Sequence, residues 1–95
     1  MAGVLSDDEV AAWLATHTDW RREGNEIRRS VECASFSTAI DLVTRIAAVA
    51  EERDHHPDID IRWRTLHLAL STHSAGGLTR KDLELAETID GLVAS

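Results

Sequence analysis

The sequence has few of the residues that build disulfides, metal sites and membrane spans. Cys33 is the only cysteine, so no internal disulfide can form, and no Cys-x-x-Cys or His-Glu-x-x-His spacing predicts a metal site. No stretch of about 18 apolar residues occurs, and the first residues lack a basic region followed by an apolar run. We therefore expect a cytoplasmic protein that does not enter membranes.

Positive charge is also scarce. Ten lysines and arginines stand against 17 aspartates and glutamates, which gives a formal net charge of −7. This charge repels nucleic-acid backbones and anionic lipid headgroups, so direct nucleic-acid binding is not expected. Acidic residues and Asn25 interrupt the basic cluster, which we interpret as a solvated strand edge formed by Arg21, Arg22, Arg28 and Arg29.

The length of the chain limits its organisation. With 95 residues, 43% of them hydrophobic, residues 1–95 fit one domain. A domain of this size buries only about 60–65% of the surface of its unfolded chain, so association of subunits would add stability. Apolar residues between Ile40 and Ala50 would cover more than one face of a helix. We therefore predict a homodimer or homotetramer.

The first half of the chain predicts a helix, a hairpin and a second helix. Ser6 and Glu9 form a capping box, and an apolar stripe continues the first helix through about Ala15. Alternating residues at 20–23 and 26–33 predict two strands, joined by a Gly-Asn turn.

The second half predicts two more strands and a third helix. Ser35 or Ser37 caps the second helix, which ends in charged residues before Pro57, because proline cannot continue the hydrogen-bond ladder. Alternation predicts strands at 58–63 and 65–71, and a cap at 79–82 starts the last helix. This order, α-β-β-α-β-β-α, predicts an α+β fold in which three helices pack on one face of a four-stranded antiparallel sheet.

Histidine is abundant, with five in the chain. His55 and His56 follow the second helix and His73 follows the last strand, so antiparallel pairing of the last two strands would bring these three together. Imidazole has an unperturbed pKa of about 6.5, so it can both donate and accept protons near neutrality. The spacing suggests a pocket for acid–base chemistry, although adjacent histidines at a helix end can also be solvated caps that favour the negative end of the helix dipole. His17 and His67 lack such context and are interpreted as surface or strand-face residues.

The spacing of these residues resembles the signature of the pterin-4a-carbinolamine dehydratase (4a-hydroxytetrahydrobiopterin dehydratase) family. The residues that match its fixed positions are Glu51, His55, His56, Pro57, Trp63, His73 and Asp82. The resemblance extends from the helix start at Leu5-Ser6 to the segment 70–73, which covers nearly the whole chain.

The resemblance implies a hydro-lyase that dehydrates 4a-hydroxytetrahydropterin to quinonoid dihydropterin in tetrahydrobiopterin recycling, with no metal or redox cofactor. It implies that His55, His56 and His73 are catalytic; we assign His55 as the base, His73 as the acid that protonates the leaving hydroxyl and His56 as the group that orients the pterin. The residues predicted to bind substrate are Glu51, Asp54, Ser71, Thr72 and Trp20.

Some of these assignments have simpler alternatives. Glu51 and Asp54 could fix an imidazole tautomer or form only a solvated acidic helix end. Trp20 could equally be a core residue, and Trp63 is predicted to pack on the sheet. The alternative function is a non-catalytic protein-interaction module on the same fold, as in family members that stabilise a transcription-factor dimer. Loss of one of the three histidines would favour that alternative, and all three are present.

Overall fold

The computed structural model describes residues 3–95 and contains three helices and one antiparallel sheet. The helices are α1 (Asp7–Thr16), α2 (Phe36–Arg53) and α3 (Arg80–Ala94), and the strands are β1 (Arg21–Glu23), β2 (Glu26–Glu32), β3 (Asp58–Arg62) and β4 (Thr65–Leu70). The strand order is β1-β2-β4-β3, with antiparallel neighbours throughout. The predicted α+β fold and its element order are confirmed. Within residues 3–95, no helix combines the length and apolar character that crossing a bilayer requires.

One face of the sheet forms the core together with the helices. Ile27 and Leu68 point to this face from β2 and β4, and Val10, Ile46 and Ile89 join the same buried cluster from α1, α2 and α3. The opposite face, called here the outer face, is polar, as is common for antiparallel sheets with one solvated side. Its side chains include those of Arg28, Ser30, Asp60 and His67.

Short-range hydrogen bonds fix where α1 and α2 begin. The Ser6 hydroxyl accepts from the Glu9 amide at 3.1 Å, and the Glu9 carboxylate accepts from the Ser6 amide at 3.0 Å, so the predicted capping box forms. The hydrogen bond from the Ser6 backbone holds the pKa of Glu9 below its usual value. Ser35 is the N-cap of α2, because its hydroxyl accepts from the Thr38 amide at 3.1 Å. Of the two predicted caps, Ser35 is therefore the correct one.

The turn between β3 and β4 corrects the prediction for Trp63. This residue does not pack on the sheet: β3 ends at Arg62, and Trp63 has a φ of 54° and is 73% exposed. The Arg64 guanidinium lies 4.8 Å from the centroid of its ring. The chain reverses at this residue, so the alternation seen in the sequence does not continue through it.

The arginine cluster divides between the two faces of the sheet, which corrects part of its interpretation as a solvated edge. Arg22 pairs with Asp7 of α1 at 2.8 Å, and Arg29, only 13% exposed, pairs with Asp90 of α3. These two arginines therefore attach the sheet to the helices. Arg28 lies on the outer face of β2, which is an inner strand, so the predicted edge position does not hold for it.

Candidate active site

Two connections meet at one end of the sheet. Residues 54–57 link α2 to β3, and residues 71–79 link β4 to α3 through a short 3-10 turn at His73–Ala75. In the β3–β4 ladder Asp58 is opposite Ala69, so the residues just before Asp58 run beside those just after Ala69. The predicted hairpin thus places the segment of His55 and His56 beside the segment that leads to His73.

His55 is fixed at both its backbone and its ring. Its amide donates to the Ala50 carbonyl at 3.1 Å, next to the left-handed Asp54 that ends α2 with a φ of 48°. Its Nε2 lies 2.6 Å from Oδ1 of Asp82. The His55 side chain is 11% exposed and that of Asp82 is 0% exposed. The ring therefore rests on a fully buried carboxylate.

Asp82 is the centre of a buried hydrogen-bond network. Its Oδ2 accepts from the Thr79 amide at 2.9 Å and from the Thr72 hydroxyl at 2.8 Å, while Oδ1 faces His55. The carboxylate therefore joins the start of α3 to the two segments that carry the histidines. The sequence pattern indicates only a helix cap at Asp82, and this residue is not among the predicted site residues. Its place as the last fixed position of the family signature was the signal for a wider role.

The Asp82 contact determines which nitrogen of His55 carries a proton. A carboxylate only accepts hydrogen bonds, so Nε2 donates to it. Within residues 3–95 no group hydrogen-bonds to the other ring nitrogen, Nδ1, which is left able to accept a proton. A carboxylate behind an imidazole also stabilises the imidazolium that forms after proton uptake. This pair is suited to general-base chemistry.

His56 has a different environment from its neighbour. Its Nε2 contacts Oε2 of Glu51, and the two side chains are 53% and 78% exposed. Glu51 lies in the last turn of α2, and among the described residues His56 makes no hydrogen bond to Asp82. Two interpretations of Glu51 were open, and the structure favours the one in which its carboxylate contacts an imidazole.

His73 lies in the 3-10 turn and is exposed. Its Nε2 is 3.5 Å from the Ser71 hydroxyl, a long contact. A cavity of about 270 Å³ opens beside the ring. The residues lining it are Glu23, Asn25, Glu26, Ser71, Thr72, His73, Gly76 and Gly77. We call it the His73 cavity.

His55 lines a second cavity, of about 730 Å³, together with Arg53, Lys81 and Glu84. His73 is not part of its lining, and His55 does not line the His73 cavity. The hydrogen-bonded pair of Thr72 and Asp82 connects the two, because Thr72 lines the first cavity and Asp82 binds the histidine of the second. The convergence of three rings on one ligand stays a prediction.

The other predicted site residues occupy varied positions. The Thr72 side chain is buried in the Asp82 network, whereas Asp54 is an exposed helix C-cap. Trp20 is 4% exposed in the core and donates from Nε1 to Asp90 at 2.9 Å, so its packing role accounts for the position. Within residues 3–95, no cluster of three or more His, Cys, Asp or Glu side chains is arranged to bind a metal ion.

Fold and site together define a small α+β protein with three histidines where two connections meet at the end of an antiparallel sheet. The chain belongs to the pterin 4 alpha carbinolamine dehydratase family, whose family model matches residues 3–92.

Curated relatives support the family assignment over nearly the full length. A protein of Nocardia farcinica, named as a provisional pterin-4-alpha-carbinolamine dehydratase, is 56% identical over 89 residues, which cover 94% of each chain. A protein of Roseiflexus castenholzii with the same name is 52% identical over 93 residues, covering 98% of this chain and 100% of its own.

Solved structures share the fold. A crystal structure from Brucella melitensis, described as a transcriptional coactivator/pterin dehydratase, has a TM-score of 0.91 at 28% identity and covers 96% of this chain and 99% of its own. A pterin dehydratase-like protein identified as a RuBisCO assembly factor in the alpha-carboxysome has a TM-score of 0.70 at 22% identity, covering 83% of this chain and 94% of its own. The second comparison supports the fold alone.

Proposed function

We propose that this protein dehydrates 4a-hydroxytetrahydropterin to quinonoid dihydropterin, as a cytoplasmic hydro-lyase of tetrahydrobiopterin recycling. Family membership and the presence of all three signature histidines support the proposal. The observation that carries it is the buried Asp82 carboxylate, which holds the His55 ring by one oxygen and the segment next to His73 by the other. Such a link holds the two histidine segments at a fixed separation, which two imidazoles that act on one substrate require.

The reaction needs one proton removed and one proton supplied. A base takes the proton from N5, the ring nitrogen beside the carbon that bears the hydroxyl. The N5 electron pair then forms the C4a=N5 double bond as the C4a–O bond breaks, and an acid protonates the departing hydroxyl to release water. One proton is taken up and one is given, so no redox partner is consumed, and imidazoles suit both roles.

In this mechanism His55 accepts the N5 proton at Nδ1, because its Nε2 is held by Asp82. His73 protonates the leaving hydroxyl, and His56, which contacts Glu51, orients the pterin. The backbone segments 54–56 and 71–73 would contact the ring, with Ser71 at the edge of the His73 cavity. We infer that the pterin binds at this end of the sheet, where the Thr72–Asp82 hydrogen bond and the β3–β4 ladder keep the two histidine segments side by side.

Titration of the purified protein with a 7,8-dihydropterin, combined with an assay of 4a-hydroxytetrahydropterin breakdown, tests the proposal. We expect saturable binding and a rate of quinonoid formation well above the buffer rate, by about 100-fold or more if a single proton-transfer group is engaged. Binding without acceleration would favour a related reaction on another heterocycle. Neither binding nor acceleration would leave the alternative of a non-catalytic protein-interaction module.

A homodimer or homotetramer with no nucleic-acid or membrane contact is also part of the proposal. Phe36 and Ile40, one turn apart on α2, are 53% and 38% exposed, and an unpaired apolar strip of this kind favours association. Changing both to serine should lower the mass measured by light scattering toward that of a smaller species, while the matched change of Asp41 and Arg45 to serine, exposed and one turn apart on another face of α2, should not. An unchanged mass in the Phe36 and Ile40 variant would exclude this strip from the interface.

A further inference from the structure

Part of the wall of the His73 cavity comes from an element that no part of the proposed mechanism uses. Glu23, Asn25 and Glu26, at the turn between β1 and β2, line the cavity together with Ser71 and His73. The turn is held there by the sheet itself, since Ile27 is paired with Leu70 in the β2–β4 ladder. The cavity, at about 270 Å³, is slightly smaller than the roughly 300–1,000 Å³ typical of small-ligand sites.

Glu26 presents one carboxylate oxygen that is not used by the protein. Arg28 holds the other oxygen, Oε1, by two hydrogen bonds, of which the one from Nε is 2.8 Å long. Within residues 3–95 no group donates to Oε2. The side chain is 24% exposed, so the carboxylate is fixed by its arginine and still open to a ligand. Neighbouring Asn25 makes no side-chain hydrogen bond within this same range and can offer both a carbonyl oxygen and an amide.

A pterin carries hydrogen-bond donors that match these groups. Its pyrimidine edge has a 2-amino group beside the N3 hydrogen, followed by the O4 acceptor. A carboxylate oxygen accepts from the amino group in a charge-assisted bond, and a side-chain amide can accept from N3 and donate to O4. A 2-oxo analogue would instead direct a carbonyl oxygen at the carboxylate.

We propose that the β1–β2 turn determines substrate specificity in this protein, with Glu26 accepting from the 2-amino group of the pterin and Asn25 pairing with the adjacent edge. This inference rests on the proposed function. It places the pyrimidine ring against the turn and leaves the rest of the bicycle toward His73, the acid that protonates the departing hydroxyl. Discrimination between a pterin and its 2-oxo analogue is then a property of one side chain.

The test compares binding of 7,8-dihydropterin with binding of 7,8-dihydrolumazine, in which oxygen replaces the 2-amino group. The wild type should prefer the pterin by about 10- to 100-fold, which is what a hydrogen bond to a charged group contributes. Glu26→Gln should lose most of this preference and should raise KM about 10-fold while changing kcat less than about threefold.

Two control variants separate recognition from structure. Arg28→Gln keeps the carboxylate but frees it from the side chain that fixes it, so its preference for the pterin should lie between those of the wild type and Glu26→Gln. Glu32→Gln alters a carboxylate at the other end of β2, where Arg64 holds it at 2.7 Å, and should leave both affinities unchanged. If Glu26→Gln keeps the wild-type preference while the wild type binds and dehydrates pterin, this inference is wrong and the proposed function stands. If the wild type binds neither compound, the proposed function itself fails.

Discussion

Replacing His73 with alanine should lower the rate of 4a-hydroxytetrahydropterin dehydration by about 100-fold or more, because the leaving hydroxyl then loses its proton donor. The fold should remain intact, since His73 is exposed and the one side-chain hydrogen bond that it makes within residues 3–95 is the long 3.5 Å approach to the Ser71 hydroxyl. Initial rates of quinonoid formation at saturating substrate, measured beside thermal unfolding curves, check both parts. The loss should appear in kcat, because the proton is transferred only after substrate has bound.

His67→Ala is the matched control for this experiment. His67 lies on the outer face of β4, where its Nδ1 is 2.8 Å from the Ser30 hydroxyl, and it does not line the His73 cavity. Its replacement should leave the rate within about twofold of wild type, as expected for a surface substitution. A His73→Ala protein that retains the wild-type rate would remove this residue from the mechanism. Equal rates in the His55 and His56 variants as well would refute histidine catalysis altogether.

The relative loss in those two variants assigns the base. If His55 accepts the N5 proton, His55→Ala should cost about 100-fold or more and His56→Ala less, with the His56 effect mainly in KM. The opposite order would transfer the base role to His56, whose ring is the more exposed of the two. Either order keeps a proton acceptor at the end of α2.

Much of the fold could be predicted because its signals are local. The capping box at Ser6, the proline after α2 and the alternation of β4 each act within a few residues, so the sequence shows them directly. The β3–β4 hairpin also follows from adjacent segments, and its register brings the two histidine segments together. The prediction for Trp63 is wrong because the alternating pattern continues through this residue, whereas the backbone there turns to positive φ.

The role of Asp82 could not be read from local patterns. The local pattern already explains Asp82 as the residue that caps the start of α3 by accepting from the Thr79 amide. The pattern gives no sign that Asp82 also accepts from the ring of His55, 27 positions away. Trp20 shows the same limit, because only the packed structure reveals that its indole donates to Asp90 of α3. Contacts between elements that are distant in the chain depend on how the helices are placed on the sheet.

Asp82→Asn should lower the dehydration rate by about 100-fold or more, although it changes a single atom of a fully buried side chain. The amide oxygen must face the Thr79 amide and the Thr72 hydroxyl, because turning its NH2 group toward them would leave a buried backbone donor unpaired at a cost of about 1–3 kcal/mol. The amide nitrogen then faces Nε2 of His55 and donates to it. Nε2 becomes an acceptor, the ring proton moves to Nδ1, and the proposed base is occupied.

Nitrogen-15 NMR of labelled histidine detects this change separately from the rate. In the wild type the His55 resonances should report a protonated Nε2, and in Asp82→Asn a protonated Nδ1, while KM for the pterin changes by less than about threefold. Asp41→Asn, at an exposed position of α2, should change neither the spectrum nor the rate.

If the tautomer of His55 shifts in Asp82→Asn while the rate stays normal, Asp82 has only a structural role. A normal tautomer together with a lost rate would place its effect elsewhere than on His55, so the two readouts together decide whether the buried carboxylate acts through that ring.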